Sequence, residues 1–203
     1  LNPASTTFVL GYHGCDAAVA EQVFAGRSVL TPSQNDYDWL GPGVYFWEHN
    51  ARRAYDFACE VRGRPHHGRP RITDPAVVGA IIDVGYCLSL YDAEAIASVR
   101  QAHRDLDQLY HTVGRPLPVN AGGPDRLLRR LDCAVIEMLH AARADRGDRP
   151  FDTVRAPFAE GGPAYAGAGF DAKSHVQLCV RTPAAVKGYF RPLDDDGRVM
   201  RFG

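Results

Sequence analysis

The sequence predicts one α+β domain, and three observations lead there. Apolar segments of strand length stand at both ends of the chain, helical stretches with one apolar side fill its middle, and runs rich in glycine, proline and arginine separate them. At 203 residues with 45% hydrophobic and 23% charged side chains, the chain is long enough to bury one sizeable core. No period of ~20 to 50 residues recurs, which sets solenoids and propellers aside.

The elements follow in order. Thr7 to Tyr12 reads as a first strand, rich in the β-branched and aromatic residues that suit a pleated surface. Asp16 is placed to cap a short helix whose Val19, Val23 and Phe24 share a face, and Gly26 ends it. Gly43 to Trp47 is a second strand, and Asn50 caps a second helix that stops near Gly63. After a third strand at Val77 to Val84, Asp92 caps a long helix with Ile96, Val99, Leu106, Leu109 and Val113 on one side, closed by Gly114. Pro124 is expected to start another, with Leu127, Leu131, Ala134, Val135, Met138 and Ala142 at helical spacing. These two helices should bury a stripe against the sheet, which Val176 to Val180 and Val186 to Phe190 complete. Arg62 to Pro75 and the glycine-rich Glu160 to Gly169 read as exposed loops.

A formal net charge of -1 gives no global attraction to nucleic acid or anionic lipid, so a partner of either kind must be held by a local patch. The longest apolar run, Ala76 to Ile82, is far short of the ~20 residues a bilayer helix needs, and Leu1 to Tyr12 lacks the layout of a secretory signal. A cytoplasmic protein with no membrane partner is expected. Cys15, Cys59, Cys87, Cys133 and Cys179 are scattered, odd in number and never in a C-x-x-C arrangement, so they read as reduced thiols. His66 and His67 have no further ligand at metal spacing, and no metal is expected.

Three segments set polar or aromatic groups on or beside apolar strands: Gly-Tyr-His-Gly at 11–14, Leu-Gly-Pro-Gly-Val-Tyr-Phe-Trp-Glu at 40–48, and Ser-His-Val-Gln-Leu-Cys-Val at 174–180. Gly14 after His13, and Gly41 and Gly43 before Val44, let the backbone come close to a flat ligand because no Cβ intervenes. Tyr45 can wall one side of a cleft and Tyr55, on the following helix, a second. Each has a plainer reading: His13 as a satisfied strand-end histidine, Tyr45 as a core tyrosine, Tyr55 packed beside Ala51 and Ala58. An amide such as Gln177 between apolar neighbours wants a partner. His175 shares its side of the strand and is a candidate contact, a surface-proximal histidine being the commoner outcome. In Asp36-Tyr37-Asp38-Trp39, Trp39 either covers a ligand while the aspartates meet ribose hydroxyls, or anchors a turn.

In this order the segments resemble the ADP-ribosyltransferase superfamily, in its diphtheria-toxin and poly(ADP-ribose) polymerase branch with a His-Tyr-Glu triad. His13-Gly14, Gly41-Pro42-Gly43-Val44-Tyr45-Phe46, Tyr55 and the late strand Gln177-Leu178-Cys179-Val180 stand at the family's positions. The resemblance implies a split β-sheet core with flanking helices and NAD bent in the cleft between the two parts. It implies that His13 hydrogen-bonds the adenosine ribose and that Gly14 offers main-chain groups to the carboxamide. Tyr45 and Tyr55 would sandwich the nicotinamide ring, with Trp39 beside it. Where the family has glutamate, Gln177 keeps an acceptor oxygen without the charge. Charge-assisted hydrogen bonds are roughly twice as strong as neutral ones, so polymer elongation is not expected. Glu160 could substitute as a carboxylate, against its plainer reading as a solvent-exposed loop residue.

The expected function is that of a mono-ADP-ribosyltransferase. It would cleave the nicotinamide–ribose bond of NAD and pass ADP-ribose to a macromolecular acceptor, protein or nucleic acid, as a bacterial toxin or defence effector with an antitoxin or immunity protein as a further partner. An NAD glycohydrolase and a silent NAD- or ADP-ribose-binding module stay open as alternatives.

Overall fold

The computed structural model describes residues 7–63 and 71–202. Strand β1 (Phe8–Asp16) runs four residues beyond the expected Tyr12, because β3 (Pro75–Asp83) pairs with all nine of its residues, from Phe8↔Asp83 to Asp16↔Pro75. His13 and Gly14 therefore lie within a strand. Asp16 caps α1 (Ala17–Phe24) by accepting from Ala18 N, and its other oxygen accepts from Thr73 N, Thr73 Oγ1 and Asp74 N. Strand β2 (Val44–Glu48) leads into α2 (Ala51–Glu60), where Asn50 Oδ1 accepts from Arg53 N as the sequence predicts. Of the Arg62–Pro75 segment, Arg64, His66, His67 and Arg69 lie outside the described residues.

A short strand β4 (Cys87–Ser89) precedes α3 (Ala93–Thr112), which Asp92 caps through Glu94 N. Of its apolar stripe Leu106 is buried and Ile96 and Val99 are half-buried, while Leu109 and Val113 are exposed. The helix expected from Pro124 begins later. A small ribbon of β5 (Asn120–Ala121) and β6 (Leu128–Arg129) takes the intervening chain, and α4 covers Arg130–Asp145. Asn120 Oδ1 accepts from Leu131 N and Asp132 N, so the cap comes from the ribbon and fixes the later start.

Strand β7 (Thr153–Phe158) was not expected, and it carries Pro157, a residue uncommon inside a sheet. β4 reaches only Thr153–Arg155, so Pro157 sits past the end of that neighbour, where a missing N–H is tolerated. Strand β8 (His175–Val180), a single 3₁₀ turn at Pro183–Ala185 and β9 (Val186–Phe190) close the chain's main elements.

The seven-stranded sheet has the order β4-β7-β8-β2-β1-β3-β9, antiparallel except for β4 with β7. With four α-helices among the described residues, this is the α+β architecture expected. One face buries Phe46, Val78, Ile82 and Leu178 against Ala20 and Val23 of α1. The other buries Leu88, Val154 and Cys179 against α3 and α4, and Trp47 and Val77 against Ala54 of α2. Between β1 and β2 the ladder consists only of Gly11↔Glu48 and Tyr12↔Trp47. The ladder between the β4-β7-β8-β2 and β1-β3-β9 halves is thus short, extended on one side by the bond from His49 N to Leu10 O. No helix among the described residues is long and apolar enough to cross a membrane.

Candidate functional site

His13 lies where β1 leaves β2. Its Nδ1 is 2.8 Å from the carbonyl oxygen of Tyr45. A carbonyl only accepts, so Nδ1 carries a proton and donates it to this bond. The imidazole packs edge-on to Phe46 with ring centroids 5.9 Å apart.

Tyr45 meets His13 through its main chain, not its ring. Its hydroxyl donates to Gly41 O at 2.7 Å and accepts from Leu40 N at 2.8 Å, and burial pushes the phenol pKa well above its ordinary value. The ring packs in the core with Leu40 and Cys179, which is the plainer of the two readings. The glycines also serve packing. A Cβ on Gly14 would stand 2.1 Å from Ala54 O of α2, and one on Gly43 would stand 2.4 Å from Cys179 Sγ. The close approaches that the motif permits are between elements of the chain itself. Tyr55 is turned elsewhere: its ring stacks on Phe202 at 4.6 Å and 15° between planes.

A second group of residues gathers along β8. Gln177 stands across from Trp47 on β2 and Ala156 on β7, is 8% exposed, and its amide has no hydrogen-bond partner among the described residues. His175 stands across from Phe158 with its ring centroid 6.3 Å from that of Trp39, 6.2 Å from Trp47 and 5.8 Å from Phe158. Its side chain is 1% exposed, which corrects the surface-proximal histidine the sequence suggested. Burial lowers its pKa, against the hydrogen bond at Lys173 O and the charge of Glu160. With Nδ1 donating to Lys173 O at 2.7 Å, Nε2 is an acceptor, and neither it nor the nearby Trp47 Nε1 donor has a partner. Buried polar atoms left unpaired in this way mark a place for hydroxyl groups or ordered water.

Trp39 borders the same group. Its Nε1 donates to Leu127 O at 3.0 Å, its ring lies 4.3 Å from that of Phe158, and the Arg129 guanidinium covers it at 4.1 Å. The aspartates beside it are engaged in turn structure, Asp38 accepting from Asn35 N and Asp36 pairing with Arg130. This is the anchored turn, and Trp39 belongs both to it and to the rim of the group around His175.

Glu160 is the largest departure from expectation. Read as a solvent-exposed loop residue, it is 5% exposed, accepts from Arg53 Nη2 at 2.7 Å and lies 3.7 Å from His175 Nδ1. A buried carboxylate is tolerable only when paired, and Arg53, itself 6% exposed, supplies the charge. Arg53 was not singled out from sequence. Its one signal is a position on the alanine-rich side of α2, between Ala51 and Ala54. Among the described residues no group of three or more His, Cys, Asp or Glu side chains could hold a metal ion.

No protein-family model matches the chain, and no solved structure matches it. Over 37 residues, 18% of the chain, it is 49% identical to the uncharacterized protein MJ0359 of Methanocaldococcus jannaschii, and the match spans 17% of that protein.

Proposed function

We propose that the chain binds NAD where β1 and β2 diverge, cleaves the nicotinamide–ribose bond and transfers a single ADP-ribose to a macromolecular acceptor. The observation that carries this reading is the buried Gln177 amide on β8, which has no hydrogen-bond partner among the described residues. The buried, unpaired Trp47 Nε1 across from it on β2 fits a hydroxyl-bearing ligand in the same sense. NAD supplies a good leaving group, since nicotinamide departs neutral from an oxocarbenium-like centre. Gln177 would accept from the nicotinamide-ribose 2′-hydroxyl and position it, contributing less charge stabilisation than a carboxylate. Gly14 offers its main chain, and Trp39 closes the rim. Tyr45 acts by holding the 40–43 turn and His13.

Glu160 is committed to Arg53 and is not free to take the family's carboxylate role. That favours slow turnover and keeps a silent binding module as the second reading. Incubation with NAD labelled in its adenylate part and a cell lysate, followed by separate protease and nuclease digestion, tests the choice. A labelled macromolecule that disappears in the His13→Ala variant supports transfer. Nicotinamide release without a labelled macromolecule identifies a glycohydrolase, and thermal protection by NAD without release identifies a binder.

A further inference from the structure

We propose that the cleft between α4 and the residues that follow β8 binds a phosphate monoester of nucleotide size. The cleft has a volume of about 580 Å³ and lies beside the start of β2. That is within the range of small-molecule sites, roughly 300 to 1,000 Å³. Its wall includes His140, Arg143, Arg181 and Thr182, over apolar surface from Pro42 and Phe151.

The polar groups there are arranged for a ligand that both accepts and donates. His140 Nδ1 lies 2.8 Å from Ile136 O and must donate to it, so the buried, unpartnered Nε2 is an acceptor. Burial and the charges of Arg181 and Arg143 lower its pKa, against the Ile136 bond and Glu137, and keep the ring neutral. Arg181 donates through Nη1 to Pro42 O at 3.3 Å and to Glu137 at 3.2 Å, while its Nε and Nη2 have no partner among the described residues. Arg143 is anchored by two bonds to Arg149 O and by its position 4.5 Å over the Phe151 ring, with Nη1 left 3.9 Å from Asp148. Thr182 precedes the 3₁₀ turn, and its hydroxyl makes no capping bond.

A singly protonated phosphate monoester matches this set. Its P–OH can donate to His140 Nε2 while its other terminal oxygens accept from Arg181, Arg143 and Thr182. A carboxylate lacks the proton, and the pyrophosphate of NAD has no terminal monoester. The cleft is separate from the residues around Gln177: Arg181 is four residues further along, roughly 13 Å of extended strand. The inference stands independently of the NAD reading.

Titration calorimetry with 5′-AMP, adenosine, and an oligonucleotide with and without a 5′-phosphate tests it. AMP or the phosphorylated oligonucleotide should bind and the unphosphorylated counterparts should not. The better of the two tells a free nucleotide from a nucleic-acid end. Arg181→Gln and Thr182→Val should each weaken binding at least tenfold, and Thr182→Val keeps the test open if Arg181→Gln does not fold. His13→Ala should leave it unchanged. Equal binding of adenosine and AMP, no phosphate binding at millimolar concentration, or unchanged affinity in Thr182→Val and in any folded Arg181→Gln overturns the proposal.

Discussion

His13 Nδ1 is held 2.8 Å from the carbonyl oxygen of Tyr45, a side-chain bond that stands in for the β1–β2 ladder where its pairing ends at Tyr12 and Trp47. The bond keeps a proton on Nδ1 and joins the two halves of the sheet. Losing one such bond costs about 1 kcal/mol. His13→Ala should therefore lower stability by about that amount in urea denaturation. Nicotinamide release from NAD should fall at least a hundredfold, far more than the stability change explains. A loss of release no larger than the loss of folded protein would sink the catalytic role.

Gln177 has the geometry of a hydroxyl acceptor without the charge. Restoring a carboxylate at that position should strengthen the hydrogen bond to a ribose hydroxyl as positive charge develops on the sugar. We expect Gln177→Glu to raise nicotinamide release about tenfold, equivalent to roughly 1.4 kcal/mol in the barrier. An unchanged rate would mean that the amide is structural.

Arg53 and Glu160 are buried together, and neither can lose its partner cheaply. Glu160→Gln leaves the guanidinium short of its main counter-charge, with Glu60 at 3.6 Å as the remaining one. It should cost about 3 kcal/mol by equilibrium denaturation. The double variant Arg53→Met with Glu160→Leu should recover most of that loss, since both charges are then gone. Failure of the recovery would mean that the pair does more than neutralise itself.

Asp16 should give the protein an acid-sensitive joint. Burial opposes its ionisation, but bonds from Thr73, Asp74 and Ala18 outweigh this and hold its pKa at about 2, down from an ordinary 3.8. The unfolded chain then binds more protons than the native one between these values. Its stabilisation is complete above about pH 4 and is lost as pH falls through about 2. Asp16→Asn should flatten that limb of a stability-versus-pH curve measured in urea. An identical limb in the variant would assign the acid loss to other carboxylates.

The local devices were readable from residue type and spacing. Asp16, Asn50 and Asp92 cap the helices they precede, and the strands around Val44, Val78, Leu178 and Val186 stand within a few residues of their expected bounds. Each depends on neighbours a few positions away, so the periodicity of the chain reveals it. Strand β7 and the late start of α4 were not readable, because one depends on where β4 stops and the other on a cap lent by Asn120.

By itself, then, the sequence determined the α+β class, the caps and the candidacy of His13, Tyr45 and Gln177. The tertiary structure alone decided that the Tyr45 phenol is spent inside the core, that His175 is enclosed by aromatic rings, and that Arg53 and Glu160 neutralise each other from positions 107 residues apart. The reason is desolvation. Whether a polar side chain is free for a ligand or consumed by the fold depends on which distant groups exclude water from it, and no local pattern records that.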